Sequence, residues 1–169
     1  MNRYKIIIPA LLVIAVAACS PTTQNTKEVA SIKPTTNQAD TALITKLSIP
    51  ASVSVGAPVE MTFTVYNPTD TIKTFCKWHT PFEPLMSKYL TVKDANGQEA
   101  DYKGAMAKRI MPPPADSYLK VNAKDSLSAN VDVLKGYNIQ NAGKYVITYE
   151  GQNMSGLIVK DSVSFVYIK

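Results

Sequence analysis

Val59-Glu60-Met61-Thr62-Phe63-Thr64-Val65-Tyr66 decides the fold. Val59, Met61, Phe63 and Val65 alternate with Glu60, Thr62 and Thr64, and Tyr66 closes the run. Successive side chains of an extended chain point to opposite faces, so this spacing gathers four apolar groups on one face and polar groups on the other. A helix would scatter them around its circumference. The content of β-branched and aromatic residues agrees with a half-buried strand.

The same period recurs on either side. Leu43, Thr45, Leu47 and Ile49 alternate with Ile44, Lys46 and Ser48. Further on, Leu127, Ala129, Val131 and Val133 alternate with Ser128, Asn130 and Asp132. Tyr145, Ile147 and Tyr149 alternate with Val146, Thr148 and Glu150, and Val163, Phe165 and Tyr167 with Ser164 and Val166. Turn formers separate the runs at Val55-Gly56-Ala57-Pro58, Asn67-Pro68-Thr69-Asp70, Asp94-Ala95-Asn96-Gly97, Asn141-Ala142-Gly143 and Gly151-Gln152-Asn153. Asn96-Gly97 supplies the positive φ that a tight hairpin turn requires. No long stretch combines helical periodicity with caps. Short strands between turns predict an all-β fold over residues 41–169, an immunoglobulin-like antiparallel β-sandwich. The section from Thr80 to Ala115 holds Pro81, Pro84, Pro112, Pro113 and Pro114. Loops and short edge strands are expected there, because proline cannot donate to a ladder.

The amino-terminal segment has a different logic. Arg3 and Lys5 precede the apolar run from Ile6 to Ala18, which ends in Val16-Ala17-Ala18-Cys19-Ser20. Spanning a bilayer takes roughly 20 apolar residues, so the run is short for a membrane helix and fits a signal peptide over 1–18. Its end resembles the lipobox of bacterial lipoproteins. The resemblance implies a lipid on Cys19, with membrane anchoring through its acyl chains. Ser20 stands where Asp commonly retains such proteins in the inner membrane, which favours the outer membrane, facing the periplasm or the cell surface. Residues 19–40 are polar and Thr-rich and cannot bury enough surface to offset their ordering entropy, so they read as a flexible tether.

Cleavage after Ala18 removes Arg3 and Lys5, and the net charge falls from +5 to +3. No Lys/Arg cluster is dense enough for a nucleic-acid patch, and no nucleic-acid partner is expected. The chain has two cysteines. With Cys19 lipidated, Cys76 has no partner for a disulfide, and a buried thiol is expected. His79 is the single histidine, too few for a His-Glu-x-x-His zinc site. Cys76 and His79 lie three residues apart, a spacing that places them on opposite faces of a strand. Asp94, Glu99 and Asp101 surround the Asn-Gly turn and read as a solvated hairpin end. No catalytic constellation, metal site or cofactor site is expected, and the protein is not read as an enzyme.

A second resemblance covers most of the domain. Asn67-Pro68-Thr69-Asp70, Lys77-Trp78-His79-Thr80-Pro81-Phe82, Leu90 to Gly97 and Tyr102-Lys103-Gly104 come in order. Ala107-Lys108-Arg109, Pro113 to Tyr118, Ser126 to Ala129, Tyr137-Asn138-Ile139 and Gly143 to Tyr149 follow. This succession resembles the amino-terminal pro-domain of deuterolysin-type (aspzincin) peptidyl-Lys metalloendopeptidases. The chain ends at Lys169 without the protease domain. The resemblance implies a β-rich fold and a secreted zinc protease as partner, not an activity.

Among these residues Trp78 is expected either to anchor the core or to pack a loop onto the sandwich. Pro81 is expected to fix the start of a loop, and the Tyr118 hydroxyl to tie the 112–117 loop to a strand. Lys103, Met106, Lys108, Arg109 and Met111 are the candidates for partner binding, because they combine basic and adaptable apolar groups before a stiff Pro-Pro-Pro. The expected function is that of a membrane-anchored binding protein, an inhibitor or immunity factor for a secreted zinc protease with Lys108 entering its pocket. The alternative is a structural or adaptor envelope lipoprotein that holds a partner at a sheet edge.

Overall fold

A computed structural model describes residues 43–169. The expected signal peptide, the expected lipidation of Cys19 and the expected tether fall on residues outside those described. In chain order the described residues form β1 (Ile44–Ser48), β2 (Ser52–Ser54), β3 (Glu60–Tyr66), β4 (Lys73–Cys76) and β5 (Leu90–Asp94). Then come β6 (Tyr118–Val121), β7 (Ser126–Asp132), β8 (Gly143–Tyr149), a single helical turn α1 (Gln152–Ser155) and β9 (Val163–Ile168). One sheet has the order β1-β3-β7, the second β2-β9-β8-β5, and β4 and β6 make a separate ribbon. Among the described residues no helix is long and apolar enough to cross a membrane.

The alternation in β3 does what its spacing implies. Met61, Phe63 and Val65 face inward without solvent exposure, opposite Val131, Ala129 and Leu127 of β7. Burying each of these larger side chains contributes about 1.5–3 kcal/mol. On the outer face Thr62 donates to Asn130 Oδ1 at 2.8 Å, and the Thr64 and Ser128 hydroxyls meet at 2.9 Å. Cross-strand pairs of matching character on both faces fix the register. In the second sheet Tyr145 stacks on Phe165, its register partner, at 5.6 Å.

The sandwich is all-β and immunoglobulin-like, as the periodicity predicts, but its sheets are not wholly antiparallel. After Ser48 the chain crosses from the first sheet to the second, and β2 runs parallel to β9. This strand is three residues long with only Val53 facing inward, too short for alternation to reveal. The ribbon of β4 and β6 escapes the periodicity for the same reason. The Gly151-Gln152-Asn153 turn is the start of α1, which Gly156 ends in the left-handed region at φ 76°.

In the proline-rich section β5 lies at a sheet edge, with irregular chain on either side. At its end Gly97 takes φ +81°, and Asp94 Oδ1 accepts from Asn96 N and Gln98 N at 2.9 Å each. That carboxylate is consumed by its own turn. Tyr137 secures the other end of β5: its buried hydroxyl accepts from Leu90 N at 3.0 Å and donates to Leu90 O at 2.8 Å.

A pinned loop as candidate functional site

The site begins at the end of β4, where Lys77-Trp78-His79-Thr80-Pro81 makes a tight turn. Thr80 is fully buried. Its hydroxyl donates to Lys77 O at 2.5 Å and accepts from Phe82 N at 3.2 Å. Buried Pro81 follows directly. His79 sits at φ 59°, in the left-handed region that costs a non-glycine residue free energy. Two bonds hold it there. Its N–H donates to Glu83 Oε1 at 3.0 Å, and its carbonyl accepts from the Tyr149 hydroxyl at 3.0 Å.

Glu83 is the hinge of the arrangement. Besides His79 N, its Oε1 accepts from Arg109 Nη2 at 2.6 Å, and the Glu83 and Arg109 side chains are only 6% and 16% exposed. Arg109 also lies over the Trp78 ring, 4.7 Å from Cζ to the centroid. A planar, weakly hydrated guanidinium suits this double duty of pairing a carboxylate and stacking on an indole. Arg109 thus clamps its own loop to the turn after β4. Trp78 is buried but stands apart from the main apolar cluster; of its two expected roles, it packs a loop.

Further bonds hold the loop on both flanks. Lys103 N donates to Gly136 O and Ala107 N to Met86 O, each at 2.8 Å. The Tyr102 hydroxyl bridges Leu85 O at 3.2 Å and Ala105 O at 2.8 Å. On the far side Lys77 N donates to Ser117 O at 2.8 Å, and Lys77 Nζ to Asp116 O at 3.0 Å. These two bonds tie down the 112–117 loop, a role expected of Tyr118. Instead the Tyr118 side chain is 44% exposed, and among the described residues its hydroxyl has no hydrogen-bond partner. Tyr118 is the first residue of β6, and alternation with Leu119 and buried Val121 puts its ring on the outer face with exposed Lys120.

What remains outside in this loop is basic and apolar. Met106, Ile110 and Met111 are 72%, 81% and 63% exposed, and Lys103 and Lys108 are exposed beside them. Four of the five residues proposed from sequence are presented to solvent and the fifth, Arg109, holds them in place. Ile110 was missed. Its signal was an isoleucine outside any alternating run, set between Arg109 and Met111.

Cys76 is a free thiol, 3% exposed. Burial raises its pKa. His79 lies beyond the end of β4 in the turn, so the opposite-face geometry of a shared strand does not apply. Burial lowers its pKa, opposed by the Glu83 charge and reinforced by Arg109. Among the described residues no group of three His, Cys, Asp or Glu side chains is arranged to hold a metal ion. The site can offer a rigid surface of cations and adaptable apolar groups.

An "Uncharacterized secreted protein" of Arthroderma benhamiae is 31% identical over 100 residues, covering 56% of this chain and 50% of that protein. The chain thus spans about half the length of this curated relative. Among solved structures, a beta-glucosidase from Listeria innocua in complex with gluconolactone is similar at 12% identity and a TM-score of 0.36. That likeness covers 75% of this chain and 16% of the glucosidase. An immunoglobulin-like domain family matches residues 46–157, which run from β1 to just past α1, and the chain belongs to that family.

Proposed function

We propose that this protein is an extracytoplasmic binding protein, held to the outer membrane by lipid on Cys19, that engages a protein partner through Lys103, Met106, Lys108, Ile110 and Met111. The observation that carries this reading is the clamp: Glu83 and Trp78 fix Arg109 while its neighbours stay exposed. A loop fixed in advance loses less entropy on binding, and the exposed Met106, Ile110 and Met111 offer apolar area for a partner to cover. The name of the relative from Arthroderma benhamiae supports a location outside the cytoplasm.

The finer reading is inhibition of, or immunity to, a secreted zinc protease of the deuterolysin type. It rests on the pro-domain resemblance and on the exposure of Lys108 within a pinned loop. The test is titration of a Lys-selective aspzincin protease with the full chain. Inhibition that Lys108→Ala abolishes supports the protease reading, while no inhibition and no complex at micromolar concentration sinks it. In that case crosslinking in intact cells that captures a resident envelope protein rather than a protease would support the adaptor alternative.

A further inference from the structure

Two unpaired strand edges converge at the side of the sandwich. β1 pairs with β3 alone, and on its other side no backbone group of β1 meets a partner among the described residues. In the second sheet β2 covers only Val166–Ile168 of β9. Val163–Phe165 are therefore paired on the β8 side alone, and residues 158–162 run on without a backbone hydrogen bond among the described residues. A groove of about 490 Å³ lies between Leu43–Lys46 on one side and Ile158, Lys160 and Asp161 on the other. An exposed edge of unpaired N–H and C=O groups is a template for another strand.

The side chains of the groove narrow the choice of occupant. Ile44 and Ile158 are 48% and 49% exposed. Thr45 faces inward, so a guest strand would bond to the β1 backbone while Ile44 and Lys46 meet its side chains on the outer face. Lys46 and Lys160 are exposed at the rim with Asp161, and no ion pair among the described residues uses either lysine. A second copy pairing through β1 about its centre would set Lys46 against Lys46, and like charges directly opposite destabilise a sheet.

We propose that the open edge of β1 is a strand-addition site for an extended, acidic segment of a partner protein, seated between Ile44 and Ile158. Ile44 and Lys46 project on the same face two residues apart. The guest therefore needs an apolar residue and, two positions along, a carboxylate. The site shares no residue with the 103–111 loop and does not depend on the reading of that loop.

The probe is a blocked hexapeptide of threonines carrying one valine and, two positions along, one glutamate. It is titrated into the ¹⁵N-labelled full chain while backbone amide signals are followed. The expected result is saturable shifts confined to Ile44–Leu47 and residues 158–161. A peptide N-methylated at alternate amides should bind at least about fivefold more weakly, because it forfeits main-chain bonds. Lys46→Glu should reverse the preference for glutamate over lysine in the peptide. Shifts absent from these residues at millimolar peptide, an N-methylated peptide that binds equally well, or an unchanged charge preference in Lys46→Glu would each overturn the proposal. So would shifts at β1 that depend on protein concentration without peptide, which would assign the edge to a second copy.

Discussion

Arg109 Nη2 lies 2.6 Å from Glu83 Oε1, in a pair whose side chains are 16% and 6% exposed. The bond spans 26 residues of sequence and joins the turn after β4 to the loop before the prolines. Removing one partner strands the other charge in a poorly hydrated place, which costs more than the intact pair contributes. Arg109→Ala is expected to lower unfolding stability by about 3 kcal/mol. The double change Glu83→Gln with Arg109→Met should cost less than the two single changes added together. Urea denaturation of the wild type, Arg109→Ala, the two single variants of the cycle and the double variant, five proteins in all, measures both.

The second prediction concerns the bond from Tyr149 to His79. The Tyr149 hydroxyl donates to His79 O at 3.0 Å and lies 2.7 Å from Ser155 Oγ, so it joins β8, the turn and α1. Tyr149→Phe is expected to cost about 1–2 kcal/mol by leaving the His79 carbonyl without its partner. Gly151→Ala should cost at least as much, because a Cβ there would collide with His79 O and the Tyr149 hydroxyl. Thermal melts that leave both variants at the wild-type midpoint would contradict this packing.

Stability should also fall on the acid side. Burial holds the His79 pKa below its ordinary value of 6.5. The folded state therefore binds this proton less readily than the unfolded state. The stabilisation is fully present above the ordinary value and is lost as pH falls through it toward the folded one. His79→Asn keeps a residue that tolerates positive φ and removes the titration. The stability curve of this variant is expected to be flatter below pH 6.5 than that of the wild type.

Cys76 gives a kinetic test. Its thiol is buried and its pKa is raised by that burial, so the thiolate that would attack a disulfide reagent is scarce and shielded. Labelling by an aromatic disulfide at neutral pH is expected to be slow in the native protein and fast in urea. Above the ordinary thiol pKa the unfolded chain loses this proton first, so stability should fall as pH climbs toward the raised folded value.

The loop tip should be dispensable to the fold. Met106→Ser and Ile110→Ser remove side chains that are 72% and 81% exposed, and each is expected to leave stability within about 0.5 kcal/mol of wild type. A larger loss in calorimetry would mean that these residues pack inward, and it would remove the basis for reading them as a binding surface.

The sequence by itself determined the inward face of each long strand. Met61, Phe63 and Val65, like Tyr145, Ile147 and Tyr149, carry a period of two that has one physical solution, a half-buried strand. It also marked Gly97 as the turn residue, because φ +81° suits a residue without a Cβ. Exposed Met106, Lys108 and Met111 were legible as candidates because their loop is basic and methionine-rich yet outside any alternation.

Only the tertiary structure decided what lies between these strands. The short pairings of β2 with β9 and of β4 with β6 have three or four residues each, too few for a period to stand out. The Glu83–Arg109 bridge was illegible for a different reason. A buried ion pair depends on which charges the fold brings within hydrogen-bonding distance, and nothing local to Arg109 separates it from Lys108. Tyr118 shows the converse: its place after the proline loop suggested a tether, but in β6 it alternates with Leu119 and buried Val121 and shares the outer face with exposed Lys120. Local periodicity sets which face is inward; long-range contacts set which polar groups meet, and at this site those contacts hold the candidate loop.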